Sequence, residues 1–262
     1  MGDLMSDNVE ALQEAAAKCI ELHNRVATFV KEGMKLFQID DFIKKNIKEL
    51  GCRSAFCGYK SGRLPPFPAQ ACLSVNDCIV HGTPGYYALP LRATDLLKVD
   101  IGVVYKGCIS DLGWTYAIKE KTENTEKLIR CGKDAIRRGI AEVGYNKPIN
   151  AYTRAVQECV ESDYSLFVIE ALGGHFFGKR LHESPFIPNS GYNPSEERFP
   201  LGTVAVEPMI GLTTSEVVSD GWPVRTRDGS YSSHFEHNLL IRESEVILLS
   251  VDLEKVPEII GT

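Results

Sequence analysis

Two aspartates on one face of an apolar hairpin constrain this chain more than any other feature. Residues 98–116 read KVDIGVVYKGCISDLGWTY, two runs rich in Val, Ile, Tyr and Thr, the residue types that fit a pleated, half-buried surface. Lys106-Gly107 lies between the runs, and Gly107 supplies the positive φ that a tight hairpin turn needs. With Tyr105 facing Cys108, strands 98–105 and 108–116 place Asp100 opposite Gly113. Asp111 then lies two residues along on the same face, a diagonal neighbour with its backbone about 7–8 Å away. Two such acids repel each other and lose hydration unless a cation lies between them. The hairpin alone also admits two solvated strand acids, so the rest of the chain decides.

Composition narrows the class. The chain has 262 residues, 44% hydrophobic and 24% charged, enough for a large core and for one large domain or two small ones. A net charge of −6, with both signs spread along the chain, argues against nucleic acid as a main partner. No apolar run approaches the roughly 18 residues of a membrane span, and the polar, acidic start is unlike a signal or transit peptide. The eight cysteines (19, 52, 57, 72, 78, 108, 131 and 159) sit mostly in apolar patterns without a CxxC pair. They read as reduced core residues of a cytoplasmic protein.

In chain order, residues 6–33 carry Val9, Leu12, Ala16, Cys19, Ile20, His23, Val26, Ala27 and Val30 on one helical face, with Ser6 or Asp7 to cap it and Gly33 to end it. His23 on that face reads as a satisfied core or boundary histidine, not a ligand. A second helix fits 40–50, residues 58–70 form a Gly/Pro-marked loop, and 71–81 is strand-like. The plan then starts again, with helices at 122–139 and 149–161 and strands at 165–172, 204–209, 234–242 and 246–251. Two halves, about 6–120 and 121–252, each read as helix, helix, strands. This predicts a duplicated α+β architecture whose sheets meet around a shared centre, and, with no linker between the halves, a single domain over 1–262.

Further polar residues stand out in apolar surroundings. His175 follows Gly174, and His182 comes seven residues later. Glu207 lies inside VAVEPMI, where an unpaired carboxylate is costly, and Pro208 after it commits that strand end to a special geometry. Glu236 lies in SSHFEHNLLI. Each alone has a bland reading, His175 as a structural histidine and Glu236 as a surface strand residue. Together, Asp100, Asp111, His175, Glu207 and Glu236 form an oxygen-rich donor set with one nitrogen. One divalent ion would leave two of the four carboxylate charges uncompensated, whereas two ions give neutrality. That favours a two-ion site with spacing of roughly 3.5–4 Å, of the kind that activates water. Mn²⁺, Fe²⁺, Co²⁺ and Zn²⁺ suit such ligands.

The order Asp, Asp, His, Glu, Glu resembles the metal-ligand set of the methionine aminopeptidases, which have the pita-bread fold. The surrounding segments match too: SVNDCIVHGTP, VDIGVVYKGCISD, GGH…HESP, VEPM and DGSYSSHFEH. The likeness runs from about Ala11 to about Asp252, and 24 residues between His182 and Glu207 leave no space for the helical insertion of type II enzymes. The chain is therefore similar to type I, without the zinc-binding extension of eukaryotic cytosolic forms, as in a bacterial or organellar enzyme.

The resemblance implies that Asp100 chelates one ion, Asp111 and Glu236 bridge both, and His175 and Glu207 complete the other. It implies a hydroxide between the ions that attacks the scissile carbonyl, with Glu207 also moving the proton. His182 would hydrogen-bond the substrate carbonyl, and His81 would face the leaving side of the peptide. Tyr59, Phe67, Leu181 and Trp222 would form the methionine pocket. The implied partners are N-terminal methionine peptides and nascent chains at the ribosome, met in the cytoplasm by a monomer without nucleic-acid or membrane recognition.

Three departures from the family pattern bear on the pocket. Phe176-Phe177 replaces the usual small turn after His175, Leu181 stands where Phe is common, and His234 stands two before Glu236 where Gln is common. No ligand is lost. The alternatives are a prolidase-like or other aminopeptidase of the same fold, which cleavage of Met-Ala-Ser against a Xaa-Pro dipeptide separates, and a pita-bread binding protein without activity, which typically lacks ligands present here.

Overall fold

The computed structural model describes residues 9–191 and 196–262, so the expected caps Ser6 and Asp7 lie outside the described residues. Helices α1 (Val9–Phe29) and α2 (Leu36–Glu49) precede one set of strands, and α3 (Glu123–Glu142) and α4 (Ile149–Gln157) precede another. α2 begins earlier than residue 40 because the Gln38 side chain accepts the Lys35 backbone N–H at 2.9 Å and closes the first turn there. Asp40 is thereby free to accept the backbone N–H groups of Gln70 and Ala71 at 2.8 and 3.3 Å, which anchors the end of the 58–70 loop. α3 starts on Thr122, whose hydroxyl accepts the Thr125 N–H, and α4 runs into a π-helical turn at Glu158–Asp163.

The hairpin forms in the expected register. Strands Leu96–Tyr105 and Cys108–Ile118 pair with Tyr105 opposite Cys108, Asp100 opposite Gly113 and Gly102 opposite Asp111. Both turn residues are left-handed, Lys106 at φ 49° and Gly107 at φ 85°, the pairing that matches the twist of the strands. Cys72–Val75 and Arg53–Ser54 pair with Leu96–Tyr105, and Ile259–Ile260 returns from the chain's end to lie parallel to Cys108–Ile118. The second five-stranded sheet runs Val246–Leu248, His237–Ile241, Gly202–Val206, Gly173–Phe177, Glu183–Pro188. A small sheet of Val217–Ser219, Val224–Thr226 and Cys78–Val80 crosses between the halves.

The other expected strands are shorter or broken, and two of the breaks face the centre. The 204–209 run splits into Gly202–Val206 and Met209–Gly211 around Glu207-Pro208, and 234–242 splits into Ser232–His234 and His237–Ile241 around Phe235-Glu236. Pro208 has no N–H for a ladder, and Glu236 instead donates its N–H to the Gly113 carbonyl at 2.8 Å, across to the hairpin. Residues 71–81 split at Asn76, left-handed at φ 50°, and only Phe167–Val168 of 165–172 is strand. The 246–251 run ends at Leu248 and continues into a 3₁₀ turn at Val251–Lys255. Gly173–Phe177 and Glu183–Pro188, where no strand was expected, form an antiparallel pair.

One buried cluster joins the helices to the hairpin, including Cys19, Leu22, Ile43, Ile101, Trp114 and Tyr116. His23 is the satisfied core histidine expected: Nε2–H donates to the Leu112 carbonyl at 3.0 Å, and Nδ1 accepts the Tyr116 hydroxyl at 2.8 Å. Of the eight cysteines, Cys52 is half-buried, Cys57 is exposed and the rest are buried. Among the described residues no helix is long and apolar enough to cross a membrane.

Candidate metal centre and active site

The two sheets bring Asp100, Asp111, His175, Glu207 and Glu236 to one buried place between them. His175 Nε2 lies 3.7 Å from Glu207 Oε1 and 3.9 Å from Asp111 Oδ2. Ligand atoms of Asp111, His175 and Glu236 lie within 4.8 Å of one another, and so do those of Glu207, His234 and Glu236. Asp100 Oδ1, Asp111 Oδ1 and Glu236 Oε1 are buried without a hydrogen-bond partner. Orphaned carboxylate oxygens at this depth are costly, and divalent ions would satisfy them. The donor set fits divalent metal ions.

Three of the donors are held by their backbones. Asn238, on the second sheet, accepts the Asp111 N–H with Oδ1 at 2.8 Å and donates Nδ2–H to the Asp111 carbonyl at 2.6 Å. Asn189 donates to the Glu207 carbonyl at 2.9 Å, at the point where the strand breaks. His175 pairs with Phe186 on one side and Ala205 on the other. Its strand can approach that closely because Gly174 precedes it; a Cβ there would sit 2.3 Å from the Ala205 carbonyl oxygen. His175 Nδ1 is 3.2 Å from the Phe176 carbonyl, which can only accept, so Nδ1 carries the proton and the Nε2 lone pair faces the centre.

Without ions the charges conflict. Burial raises the Asp111 carboxyl to about 8, with repulsion from Glu207 adding to it. Burial also pushes Asp100, Glu207 and Glu236 well above the usual carboxylate range, and for Asp100 and Glu236 the charge of Asp111 adds to it. Burial lowers His175 and His234 to about 3 and His81 to about 4, so these imidazoles are neutral at pH 7. Neutral imidazoles and proton-competing carboxylates are the state that cations convert into ligands, with release of protons.

The donors open onto a cavity of about 270 Å³. Every residue expected to contact substrate lines it: Tyr59, Phe67, His81, Leu181, His182 and Trp222. Phe67 and Trp222 meet edge to face at 5.1 Å, and His182 Nδ1 shares a 2.7 Å hydrogen bond with the Tyr59 hydroxyl. His81 reaches the cavity from a left-handed turn at φ 57°. Gly82 after it packs so closely that a Cβ would lie 2.2 Å from the Leu73 carbonyl oxygen. Phe177 packs into the apolar cluster with Leu181, Phe67 and Trp222, whereas Phe176 belongs to the main core. Phe56, Ser61, Cys72 and Val80 also line the cavity and were not foreseen. The pairing of Cys72 with Asp100 would have revealed Cys72, but nothing in the local pattern announces that strand partner.

Two five-stranded sheets around a buried carboxylate–histidine centre define a metallopeptidase of pita-bread type, and the comparisons agree. The chain belongs to metallopeptidase family M24, whose profile matches residues 10–243. It is 32% identical over 252 residues to the methionine aminopeptidase of Aquifex aeolicus, covering 92% of this chain and 95% of the relative. It is 30% identical to methionine aminopeptidase 1 of Bacillus subtilis over 242 residues, covering 91% and 94% of the two chains. Among solved structures, methionine aminopeptidase of Thermotoga maritima superposes with a TM-score of 0.85 at 30% identity, covering 93% of this chain and 96% of that one. A Xaa-Pro dipeptidase of Bacillus anthracis has a TM-score of 0.72 at 15% identity, covering 94% of this chain and 61% of the other; this second likeness concerns the fold alone.

Proposed function

We propose that this chain removes the N-terminal methionine from peptides by metal-dependent hydrolysis, as a single catalytic unit acting on newly made chains in the cytoplasm. The observation that carries the reading is a five-donor centre in the wall of a cavity of about 270 Å³ that Phe56, Phe67, Leu181 and Trp222 also line, which sets apolar surface for a side chain beside the donors. Asp100, Asp111, His175, Glu207 and Glu236 would hold two divalent ions. When bound, the ions lower the pKa of water and polarise the scissile carbonyl.

The remaining steps fall to side chains. Glu207 accepts a proton from the attacking water and returns it to the leaving nitrogen, so that water adds across the C–N bond. His182 donates from Nε2–H to the carbonyl oxygen as charge develops there; the Tyr59 hydroxyl, donating to Nδ1 at 2.7 Å, holds the required tautomer. His81, neutral through burial, faces the leaving amide. The methionine side chain lies against Phe67, Leu181 and Trp222, an apolar surface with aromatic edges that suit a thioether. The rest of the peptide leaves through the wider opening of about 480 Å³ past Gly173, Phe186 and Met209.

The test is a substrate panel with ion-loaded protein: Met-Ala-Ser, its N-acetylated form, and a Xaa-Pro dipeptide. Free methionine from the first alone supports the reading. Turnover of the Xaa-Pro dipeptide in preference to Met-Ala-Ser would replace it with a prolidase-type activity.

A further inference from the structure

His234 is a buried imidazole that the five-donor scheme does not use. Its Nε2 lies 3.1 Å from Glu207 Oε2 and 3.9 Å from Glu236 Oε2. Ligand atoms about 2.0–2.2 Å from a common ion stand roughly 3 to 4 Å apart, so these separations are those of atoms sharing one ion. Glu207 is bracketed, with Oε1 toward His175 and Oε2 toward His234. We propose that His234 is a sixth ligand of the centre, its Nε2 binding the ion held by Glu207 and Glu236.

Two features of the fold prepare it for that task. Its backbone is fixed on both sides by one side chain: Thr115 Oγ1 accepts the His234 N–H at 2.9 Å and donates to the His234 carbonyl at 2.6 Å. Its ring also occupies space that only glycine leaves free, because a Cβ on Gly113 would lie 2.7 Å from His234 Cε1. Gly113 is the hairpin residue opposite Asp100, so the space for the ring is built into the strand that carries the ligands. The competing role, an Nε2–H donor to Glu207 outside the coordination shell, uses the same 3.1 Å contact and is decided by experiment.

A neutral imidazole adds a donor without adding charge, so two divalent ions still balance the four carboxylates. It makes one position nitrogen-rich, with His175 and His234 both facing Glu207, and nitrogen favours Fe²⁺, Co²⁺ and Zn²⁺ over Mn²⁺ and Mg²⁺.

The inference rests on the two-ion reading, and one sample distinguishes the two. Cobalt-loaded wild type is assayed for ions per chain, and X-ray absorption counts imidazoles per ion. Two ions with two imidazoles per chain is the expected result. Two ions with one imidazole overturns the role of His234 and leaves the centre intact, whereas fewer than two ions at saturation overturns the two-ion reading itself. His234→Gln, which keeps an amide donor for Glu207 but lacks the imidazole nitrogen, should lose one imidazole scatterer. Its weaker-bound cobalt should dissociate at least tenfold more readily by calorimetry, with the preference for Co²⁺ over Mn²⁺ reduced. Unchanged scattering and affinity in that variant would also overturn the inference, and wild-type scattering decides it even if the variant folds poorly.

Discussion

Asn238 grips Asp111 by both edges of its amide, accepting the backbone N–H at 2.8 Å and donating to the backbone carbonyl at 2.6 Å. The contact joins the second sheet to the hairpin at the residue expected to bridge both ions. Asn238→Ala leaves both backbone groups buried and unpaired, at about 1–3 kcal/mol each. The variant should melt several degrees lower by calorimetry and bind divalent ions more weakly. Asp111→Ala should go further and abolish stoichiometric binding of two ions while the Asn238 side chain remains. Two unchanged sites by isothermal titration would remove Asp111 from the centre.

His182 and Tyr59 act as a pair in this account, and their variants should be unequal. His182→Ala should lower kcat by about 10²–10³, the usual effect of losing one oxyanion donor, with ion stoichiometry unchanged. Tyr59→Phe keeps the ring and loses the hydrogen bond, about 1 kcal/mol, so kcat should fall only several-fold. Steady-state assays of both variants with Met-Ala-Ser check the order. A His182→Ala enzyme within twofold of wild type would remove it from the chemistry.

The hairpin and the buried donor residues were legible because strand alternation and charge in apolar surroundings are local signals. Tyr105 facing Cys108 was enough to place Asp100 and Asp111 on one face. Pro208 marked the break at Glu207, whereas the break at Glu236 was not legible, since it follows from the contact with Gly113 on the hairpin, far away in sequence. Strand Gly173–Phe177 was hidden because its two glycines weaken any strand pattern, although Gly174 permits the close approach to Ala205 and Gly173 that to Ile187. Cys72 reaches the cavity through pairing with the hairpin and Phe56 by packing its ring over Gly102, and no nearby residue announces either.

The charge conflict predicts a pH signature in the ion-free protein. All six histidines (23, 81, 175, 182, 234 and 237) are lowered by burial, so around pH 6.5 the unfolded chain holds protons on them that the folded chain lacks, an opposing contribution that fades by about pH 7.5. Between about pH 7.5 and 8 the folded chain keeps protons on carboxyls that the unfolded chain has lost, Asp111 raised to about 8 and Asp100, Glu207 and Glu236 raised well above the usual carboxylate range. The folded state binds more protons, so stability falls as pH rises through this window. Lys98, lowered by burial to about 7, works in the opposite direction above pH 7 but is one group against four. Tm of chelator-treated protein should therefore fall from about pH 7.5 to 8, and saturating divalent ion should remove the slope. A rising Tm in the ion-free protein would contradict the assignment of buried, unpaired carboxyls.

Leu181 lines the cavity with Phe177 packed in the same apolar cluster. A Phe edge against the substrate sulfur is worth about 0.3–1.5 kcal/mol. Leu181→Phe should raise the Met-over-Leu ratio of kcat/KM by about two- to tenfold, a difference of the size one pocket contact supplies. Paired assays of Met-Ala-Ser and Leu-Ala-Ser at saturating ion measure it. An unchanged or reduced ratio would mean that Leu181 does not shape the methionine site.

The most direct test of the account follows free methionine released from Met-Ala-Ser as divalent ion is added back to chelator-treated protein, with bound ion counted in the same samples. The account predicts no release from the ion-free protein and release that rises with occupancy until the centre is full. Release that persists without ion, or its absence at full occupancy, would contradict metal-dependent removal of methionine by this centre.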